Sequence, residues 1–281
     1  MAVLAFGSVK ASPGVTTAVL ALAAVWPEER PLLLVDADPD GGDLAARTGL
    51  GVEPGMASLA AAGRRSLDHA DLERHTQTIP GGIPVLVGNP DPEQASRELD
   101  LVSQRLAEVL PHESPDVLVD CGRLRGSSPA TPLARRAYAT LIVCRPRVDE
   151  LQHVRAQLGR LVDQGMRAAV LLVGERPYSA DEVETALGCE VVGVVADDTA
   201  TAAALAGRRG RTSVVARSLL MRSARSLAER LVAAAVREPA DVVVDAEPAG
   251  AVHLGADAIE TDREPVTSAW ASRITGNGKR P

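Results

Sequence analysis

Lysine and aromatic residues are scarce in this sequence. Among 281 residues with 30 basic side chains, only Lys10 and Lys279 are lysines, so almost all of the positive charge is arginine. One phenylalanine, two tyrosines and two tryptophans predict an aliphatic core. The same scarcity argues against a protein that binds single-stranded nucleic acid by stacking bases on aromatic rings.

Long apolar runs and closely spaced cysteine pairs are also missing, and the first residues do not have the pattern expected of a secretory leader. The longest apolar stretch, residues 18–26, falls far short of the roughly 20 residues that a membrane-spanning helix needs. The first residues lack a basic segment before an apolar one, so we expect a cytoplasmic protein. Cys121, Cys144 and Cys189 are odd in number and far apart, which predicts buried, reduced thiols and argues against disulfides or a zinc site.

Seven short apolar runs alternate with stretches of helical periodicity. The runs are residues 3–9, 31–35, 83–87, 116–119, 140–144, 168–173 and 190–195. They are continuously apolar, which is typical of strands buried on both faces. Between them, spacings such as that of Leu99, Val102 and Leu106 indicate amphipathic helices. The pattern predicts an α/β fold with a doubly wound, mostly parallel sheet and helices on both faces.

The periodic pattern predicts one folded domain over residues 1–237 and a separate tail over residues 238–281. The last helix is expected at about residues 215–237. The tail has eight acidic and four basic residues, several prolines and glycines, and weak periodicity. We therefore expect an acidic, flexible tail that adds little to the core.

The loop after the first predicted strand has the strongest functional signal. Its sequence is Lys10-Ala11-Ser12-Pro13-Gly14-Val15-Thr16-Thr17. A tight turn of small residues between a strand and a helix directs backbone N–H groups and the positive end of the helix at one point, which favours phosphate. Against the P-loop pattern G-x-x-x-x-G-K-[ST], Gly14 and Thr16 match, whereas Val9 and Val15 replace the first glycine and the lysine.

Aspartates follow two of the other predicted strands. Asp36 and Asp38 end the second apolar run, and Asp120 ends the fourth. Because the carboxyl ends of parallel strands meet at one edge of a sheet, these side chains and the loop are expected to share a crevice.

In this register the loop resembles the deviant P-loop of the ParA/MinD superfamily, K-G-G-x-G-K-[ST]-[ST]. Lys10, Gly14, Thr16 and Thr17 fit that pattern, and Val15 stands in place of the phosphate-contacting lysine. The segments around Asp36 and Asp120 resemble the family's switch I and Walker B regions, and residues 35–44 are most similar to the TadZ/CpaE type. Residues 174–178 and 193–198 resemble its base-edge segments, so the resemblance covers about residues 2–236.

The resemblance implies a P-loop NTPase fold of the SIMIBI type that binds ATP and Mg²⁺. It implies nucleotide contacts from the loop, namely Lys10, Ser12, Pro13, Gly14, Val15, Thr16 and Thr17. Lys10 would reach the nucleotide of a second subunit, as the signature lysine does in this family. Thr16, Asp36 and Asp120 would hold Mg²⁺, and Asp38 would orient the attacking water.

The implied function is an ATP-gated dimeric switch that positions chromosomes, the division machinery or a pilus or secretion apparatus through a protein partner. Val15 removes a cation from the phosphate site, and one such transition-state contact is worth roughly 3–4 kcal/mol. Hydrolysis is therefore predicted to be slow or absent. The alternative, motivated by Val9 and Val15, is a catalytically dead scaffold that acts independently of nucleotide.

A basic segment stands out in a chain of net charge −7. Residues 207–231 contain seven arginines and one acid, Glu229. In ParA-like proteins a basic surface near the C-terminal helices binds DNA nonspecifically, which would assign that role to Arg208, Arg209, Arg211 and Arg217. A solvated arginine-rich face explains the same composition equally well.

Overall fold

The computed structural model describes residues 2–10, 12–62, 69–79, 81–112, 115–207 and 215–237. Its strands are β1 (Val3–Ser8), β2 (Leu32–Asp36), β3 (Gln77–Thr78), β4 (Pro84–Leu86), β5 (Asp116–Arg123), β6 (Ala139–Cys144), β7 (Ala168–Val173) and β8 (Val191–Val195). They form one eight-stranded sheet in the order β3-β4-β2-β5-β1-β6-β7-β8. Every pair of neighbours is parallel except β3 and β4. All seven predicted strands are thereby confirmed.

Helices separate most of the strands. They are α1 (Val15–Ala23), α2 (Leu44–Thr48), α3 (Met56–Ala62), α4 (His69–Arg74), α5 (Pro92–Val109), α6 (Thr131–Arg136), α7 (Val148–Asp163), α8 (Ala180–Leu187), α9 (Thr199–Leu205) and α10 (Leu219–Arg237). Local sequence fixes several of their starts. Asp91 caps α5 by accepting the Gln94 N–H at 3.0 Å, and Ser179 and Glu182 form a capping box at α8.

Both faces of the sheet are buried. In the central strand β1, Val3 and Ala5 join an apolar cluster with residues of α3 to α8. Leu4 and Phe6 point the other way and join a cluster with residues of α1, α2 and α10. This alternation, with helices on each face, confirms the doubly wound α/β fold.

Two further predictions are tested by burial. The three cysteines are buried and free, as expected. The apolar stripe predicted for the last helix is buried in α10, although the helix begins at Leu219 and not near residue 215. Of the helices in the described ranges, none has both the length and the apolar composition that crossing a bilayer requires.

Some sequence predictions fall outside the described residues. They are the tail over residues 238–281 and the basic residues Arg208, Arg209 and Arg211.

Candidate functional site

The loop between β1 and α1 presents a helix N-terminus to solvent at the carboxyl edge of the sheet. Gly14 precedes α1 with a φ of 112°, a left-handed conformation that glycine adopts without the steric penalty of a Cβ atom. Its carbonyl oxygen accepts the Ala18 N–H at 2.8 Å, so the helix begins at once. No acidic residue lies in the first turn of α1, and its positive end is free to attract an anion.

A cavity of about 500 Å³ opens at this point. Residues 12–18 of the loop and α1 form one side, and Asp38, Asp43 and the segment after β8 form others. Three arginines also line it: Arg47, Arg123 and Arg145. The cavity therefore combines the start of a helix with three arginines and five aspartates, and the helix start and the arginines are the groups that suit a phosphorylated ligand.

Two buried carboxylates lie beside this cavity. Asp36 and Asp120 are register partners on the neighbouring strands β2 and β5, and each is 1% exposed. Asp36 Oδ2 accepts the Leu44 N–H at 2.9 Å, and Asp120 Oδ1 accepts the Gly122 N–H at 3.0 Å. Asp36 Oδ1 and Asp120 Oδ2 have no hydrogen-bond partner among the described residues. Two adjacent buried carboxylates with unpaired oxygens fit a bound cation.

The electrostatics of the site agree with that fit. Burial raises the pKa of Asp36 to about 8, and the neighbouring Asp120 contributes to the shift. Burial also raises the pKa of Asp120, while hydrogen bonding by the Thr16 side chain lowers it. A divalent cation at this point would favour the charged form of both carboxyls.

Asp38 lies closer to the cavity than the other two aspartates. Burial raises its pKa to about 6, although its Oδ1 accepts the Asp40 N–H at 2.9 Å. Its carboxylate packs against Gly122, where a Cβ atom would fall 1.9 Å from the Asp38 Cγ. Only glycine at position 122, which has a φ of 54°, allows this approach.

The described residues contain no group of three or more His, Cys, Asp or Glu side chains arranged to hold a metal. Magnesium in phosphate-binding proteins is held by one or two carboxylates together with substrate phosphates. Thr16, Asp36 and Asp120 match that smaller donor set.

Lys10 is the predicted site residue that lies apart from the others. It is half-buried after β1 and does not line the cavity. Its charge acts on Asp149, which lies in the first turn of α7. Desolvation alone would raise the pKa of the Asp149 carboxyl, but Arg147 and Lys10 together lower it. Of the other predicted residues, Ser12 to Thr17 and Asp38 line the cavity, whereas the buried Asp36 and Asp120 do not.

Sequence reasoning missed the arginines of the cavity. Arg47 comes from α2, Arg123 from the end of β5 and Arg145 from the segment after β6. For Arg47 the sequence has one local signal. It lies four residues after Asp43, a spacing that allows a side-chain pair on a helix, and Asp43 itself follows Gly41 and Gly42. Arg145 lies far from the loop in the sequence, and no local pattern connects the two.

A larger cavity of about 1300 Å³ lies at the opposite edge of the sheet, between the end of α1 and the starts of β2 and β4. It lacks the phosphate loop and the carboxylates with unpaired oxygens. Size alone therefore does not identify the functional site, and the smaller cavity is the stronger candidate.

The sheet is mostly parallel, and its first strand leads through a small-residue loop into a helix. Carboxylates stand at the ends of β2 and β5. This arrangement is that of the P-loop NTPase class of α/β folds. Within that class, the chain has the fold of the ParA/MinD ATPases. A ParA family ATPase from Chlorobium tepidum is 19% identical, with a TM-score of 0.68 over 81% of this chain and 98% of its own.

Two archaeal structures are similar to the same extent. The cell division ATPase MinD of Pyrococcus furiosus is 18% identical, with a TM-score of 0.66 over 81% of this chain and 97% of its own. The septum site-determining protein MinD of Pyrococcus horikoshii, solved with Mg-ADP, is 17% identical, with a TM-score of 0.67 over 85% of this chain and 99% of its own. No protein-family model and no curated protein sequence matches the chain.

Proposed function

We propose that the protein binds ATP with Mg²⁺ in this cavity and acts as a nucleotide-gated dimeric switch of the ParA/MinD type, with slow or impaired hydrolysis. The observation that carries the proposal is the buried pair Asp36 and Asp120, each with one unpaired oxygen among the described residues, together with the interaction of Asp120 with Thr16 in the first turn of α1. A MinD of the same fold was solved with Mg-ADP, which supports the choice of ligand.

Each residue then has a role that its position supports. The backbone of Ser12 to Thr17 cradles the phosphates at the start of α1, while Thr16, Asp36 and Asp120 hold the metal. Magnesium, when bound, neutralises charge on the phosphates. Asp38 lines the cavity and has a pKa of about 6, so near neutral pH it accepts a hydrogen bond from the attacking water.

The position of Lys10 supports a dimer. A lysine that does not line the cavity of its own subunit is available to reach a nucleotide held by a second copy. The proposed partners are therefore a second subunit and a protein of the partition, division, or pilus or secretion machinery. We place the protein in the cytoplasm and propose that residues 1–237 form its nucleotide-binding domain.

The mass of the protein in solution tests this proposal. We expect wild type to double its mass with ATP and Mg²⁺ but not with ADP or without nucleotide, and Lys10→Ala to bind ATP and remain a monomer. Arg97→Ala is the matched control, because Arg97 is exposed on α5 and, within the described part of the chain, forms an ion pair with Glu93 alone. A mass that ignores nucleotide, together with no measurable ATP binding by wild type, would refute the switch.

The second candidate is a scaffold that keeps the fold and ignores nucleotide. It is favoured by Val15, which is 6% exposed and packs in the apolar cluster with Phe6 and Leu20. Rapid hydrolysis by a folded Val15→Lys variant, with ATP binding by wild type, would exclude the scaffold. Absence of ATP binding by both proteins would favour it.

We further propose that the basic segment contacts DNA without sequence specificity. Arg217 and, on α10, Arg222, Arg225 and Arg230 are exposed in the described part of the segment. The alternative is a solvated surface, and both explain the local positive charge in an acidic chain.

A further inference from the structure

The candidate phosphate site has no cation at the position where a P-loop has its lysine. Val15 is 6% exposed, and its side chain packs into the apolar cluster on one face of the sheet. A phosphate chain carries several negative charges, and five aspartates also line the cavity: Asp38, Asp40, Asp43, Asp197 and Asp198. Positive charge must therefore come from another element if the site is to hold nucleotide.

Arg47 on α2 supplies a guanidinium directly at the loop. Its Nη1 donates to Thr17 Oγ1 at 3.2 Å, which joins α2 to the first turn of α1. Its Nη2 and Nε donate to Asp43 Oδ2 at 2.8 and 3.3 Å. The side chain is 22% exposed, and its remaining N–H groups have no partner among the described residues.

The other two arginines of the cavity lie farther from the loop residues. Arg123 Nε is buried 4.0 Å from Asp40 Oδ2 and has no hydrogen-bond partner among the described residues. Arg145 lies 3.6 Å from Glu150 and 4.0 Å from Asp197. Neither donates to a residue of the phosphate loop within the described part of the chain, so Arg47 is the arginine that the structure brings to the loop.

The location of Arg47 also matches the metal site. Its charge is among the influences that lower the pKa of Asp120, after the Thr16 side chain and the Gly122 backbone, while burial raises it. The charge of the guanidinium therefore acts on Asp120, while its Nη1 contacts Thr17. A planar guanidinium with free N–H groups binds phosphate oxygens in pairs, which an ammonium does not do.

We propose that Arg47 is the phosphate-binding cation of this protein and takes the place of the missing loop lysine. Its guanidinium contacts the phosphate chain of a nucleoside polyphosphate bound at the start of α1, and Asp43 holds the side chain ready in the absence of ligand. This inference rests on the proposed nucleotide binding and adds the residue on which the affinity depends.

Equilibrium binding of ATP, ADP and adenosine in the presence of Mg²⁺ tests the proposal. Loss of a hydrogen bond to a charged group weakens binding by about 10- to 100-fold. We expect Arg47→Ala to show that loss for ATP and ADP and no change for adenosine. Arg47→Lys keeps the charge without the paired geometry and is expected to fall between wild type and Arg47→Ala.

Two controls make the outcome decisive. Arg97→Ala removes an exposed arginine outside the site and is expected to bind ATP like wild type. Arg47→Met keeps the aliphatic stem, so it substitutes for Arg47→Ala if that variant melts at a lower temperature. ATP affinity within twofold of wild type in Arg47→Met would overturn the inference and leave the proposed function standing. Absence of ATP binding by wild type would overturn both.

Discussion

At the scale of single residues, Asp36 has a cost for folding that the proposed ligand would offset. Its carboxyl is almost fully buried beside Asp120, and one of its oxygens has no partner among the described residues. A group placed only for packing would be hydrogen-bonded or apolar. The cost is understandable if the pair is completed by a cation when nucleotide binds.

This cost predicts a pH dependence of stability without Mg²⁺. The pKa of Asp36 is about 8 in the folded protein and near 4 in an unfolded chain, so the folded state binds more protons between these values. The free energy of unfolding should therefore fall as pH rises from about 4 to about 8. Asp36→Asn should remove this part of the slope and be more stable at pH 8 by on the order of 1 kcal/mol.

Urea unfolding at pH 5 and pH 8 measures this effect. Asp100→Asn is the matched control, because Asp100 is exposed on α5 and should leave the slope unchanged. Equal pH slopes for wild type and Asp36→Asn would show that Asp36 titrates normally in the folded protein.

At the scale of elements, the two edges of the sheet are built differently. The carboxyl edge carries the loop, the carboxylates with unpaired oxygens and the cavity. At the amino edge, the buried Asp116 at the start of β5 accepts hydrogen bonds from three residues. The Ala2 N–H donates at 2.8 Å, Trp26 Nε1 at 3.1 Å, and Arg30 at 2.5 and 2.6 Å. This aspartate ties β1, β5 and the segment after α1 together.

We expect Asp116→Ala to destabilise the protein by about 3 kcal/mol, because it leaves a buried N–H, an indole and a guanidinium without their partner. Burial alone would raise the pKa of Asp116, but the bonds from Arg30, Ala2 and Trp26 hold it below its ordinary value. Its contribution is therefore present above about pH 4 and lost as the pH falls through the lowered pKa.

Thermal and urea unfolding at pH 7 and pH 3 check both statements. Asp100→Ala provides the same substitution at an exposed position, where a change within about 0.5 kcal/mol is expected. A loss for Asp116→Ala that persists undiminished at low pH would contradict the ionic part of the argument.

At the scale of the whole molecule, charge is distributed unevenly. The chain has a net charge of −7, yet residues 207–231 are strongly basic. If this segment binds DNA, the affinity should fall linearly with the logarithm of salt concentration, because phosphate contacts release counterions. We expect wild type to bind nonspecific duplex in the range of about 10⁻⁶ to 10⁻⁴ M at physiological salt.

Fluorescence anisotropy of a labelled duplex over a salt series measures this binding. Replacing Arg208, Arg209 and Arg211 together by alanine should weaken it and reduce the salt slope, whereas Arg97→Ala should not. Affinity that is independent of salt, or that survives the triple replacement, would favour the solvated surface.

The fold was largely predictable because its signals are local. Continuous apolar runs showed the seven longer strands, and one helical stripe showed the buried face of α10. The strand β3 was missed because two polar residues, Gln77 and Thr78, carry no periodic pattern. The start of α10 was placed too early, because a turn in which the Ser218 N–H donates to the Val215 carbonyl oxygen at 3.0 Å precedes the helix.

The sequence by itself determined the α/β class, the small-residue loop between β1 and α1 and the aspartates that follow the strands, because each depends on neighbouring residues. Only the tertiary structure decided how these parts meet. The strand order sets Asp36 beside Asp120, buries Val15 and leaves Lys10 outside the cavity. It also brings Arg47 to Thr17 across 30 residues of chain. Contacts between distant residues depend on packing in three dimensions, and a single sequence carries no local signal for them.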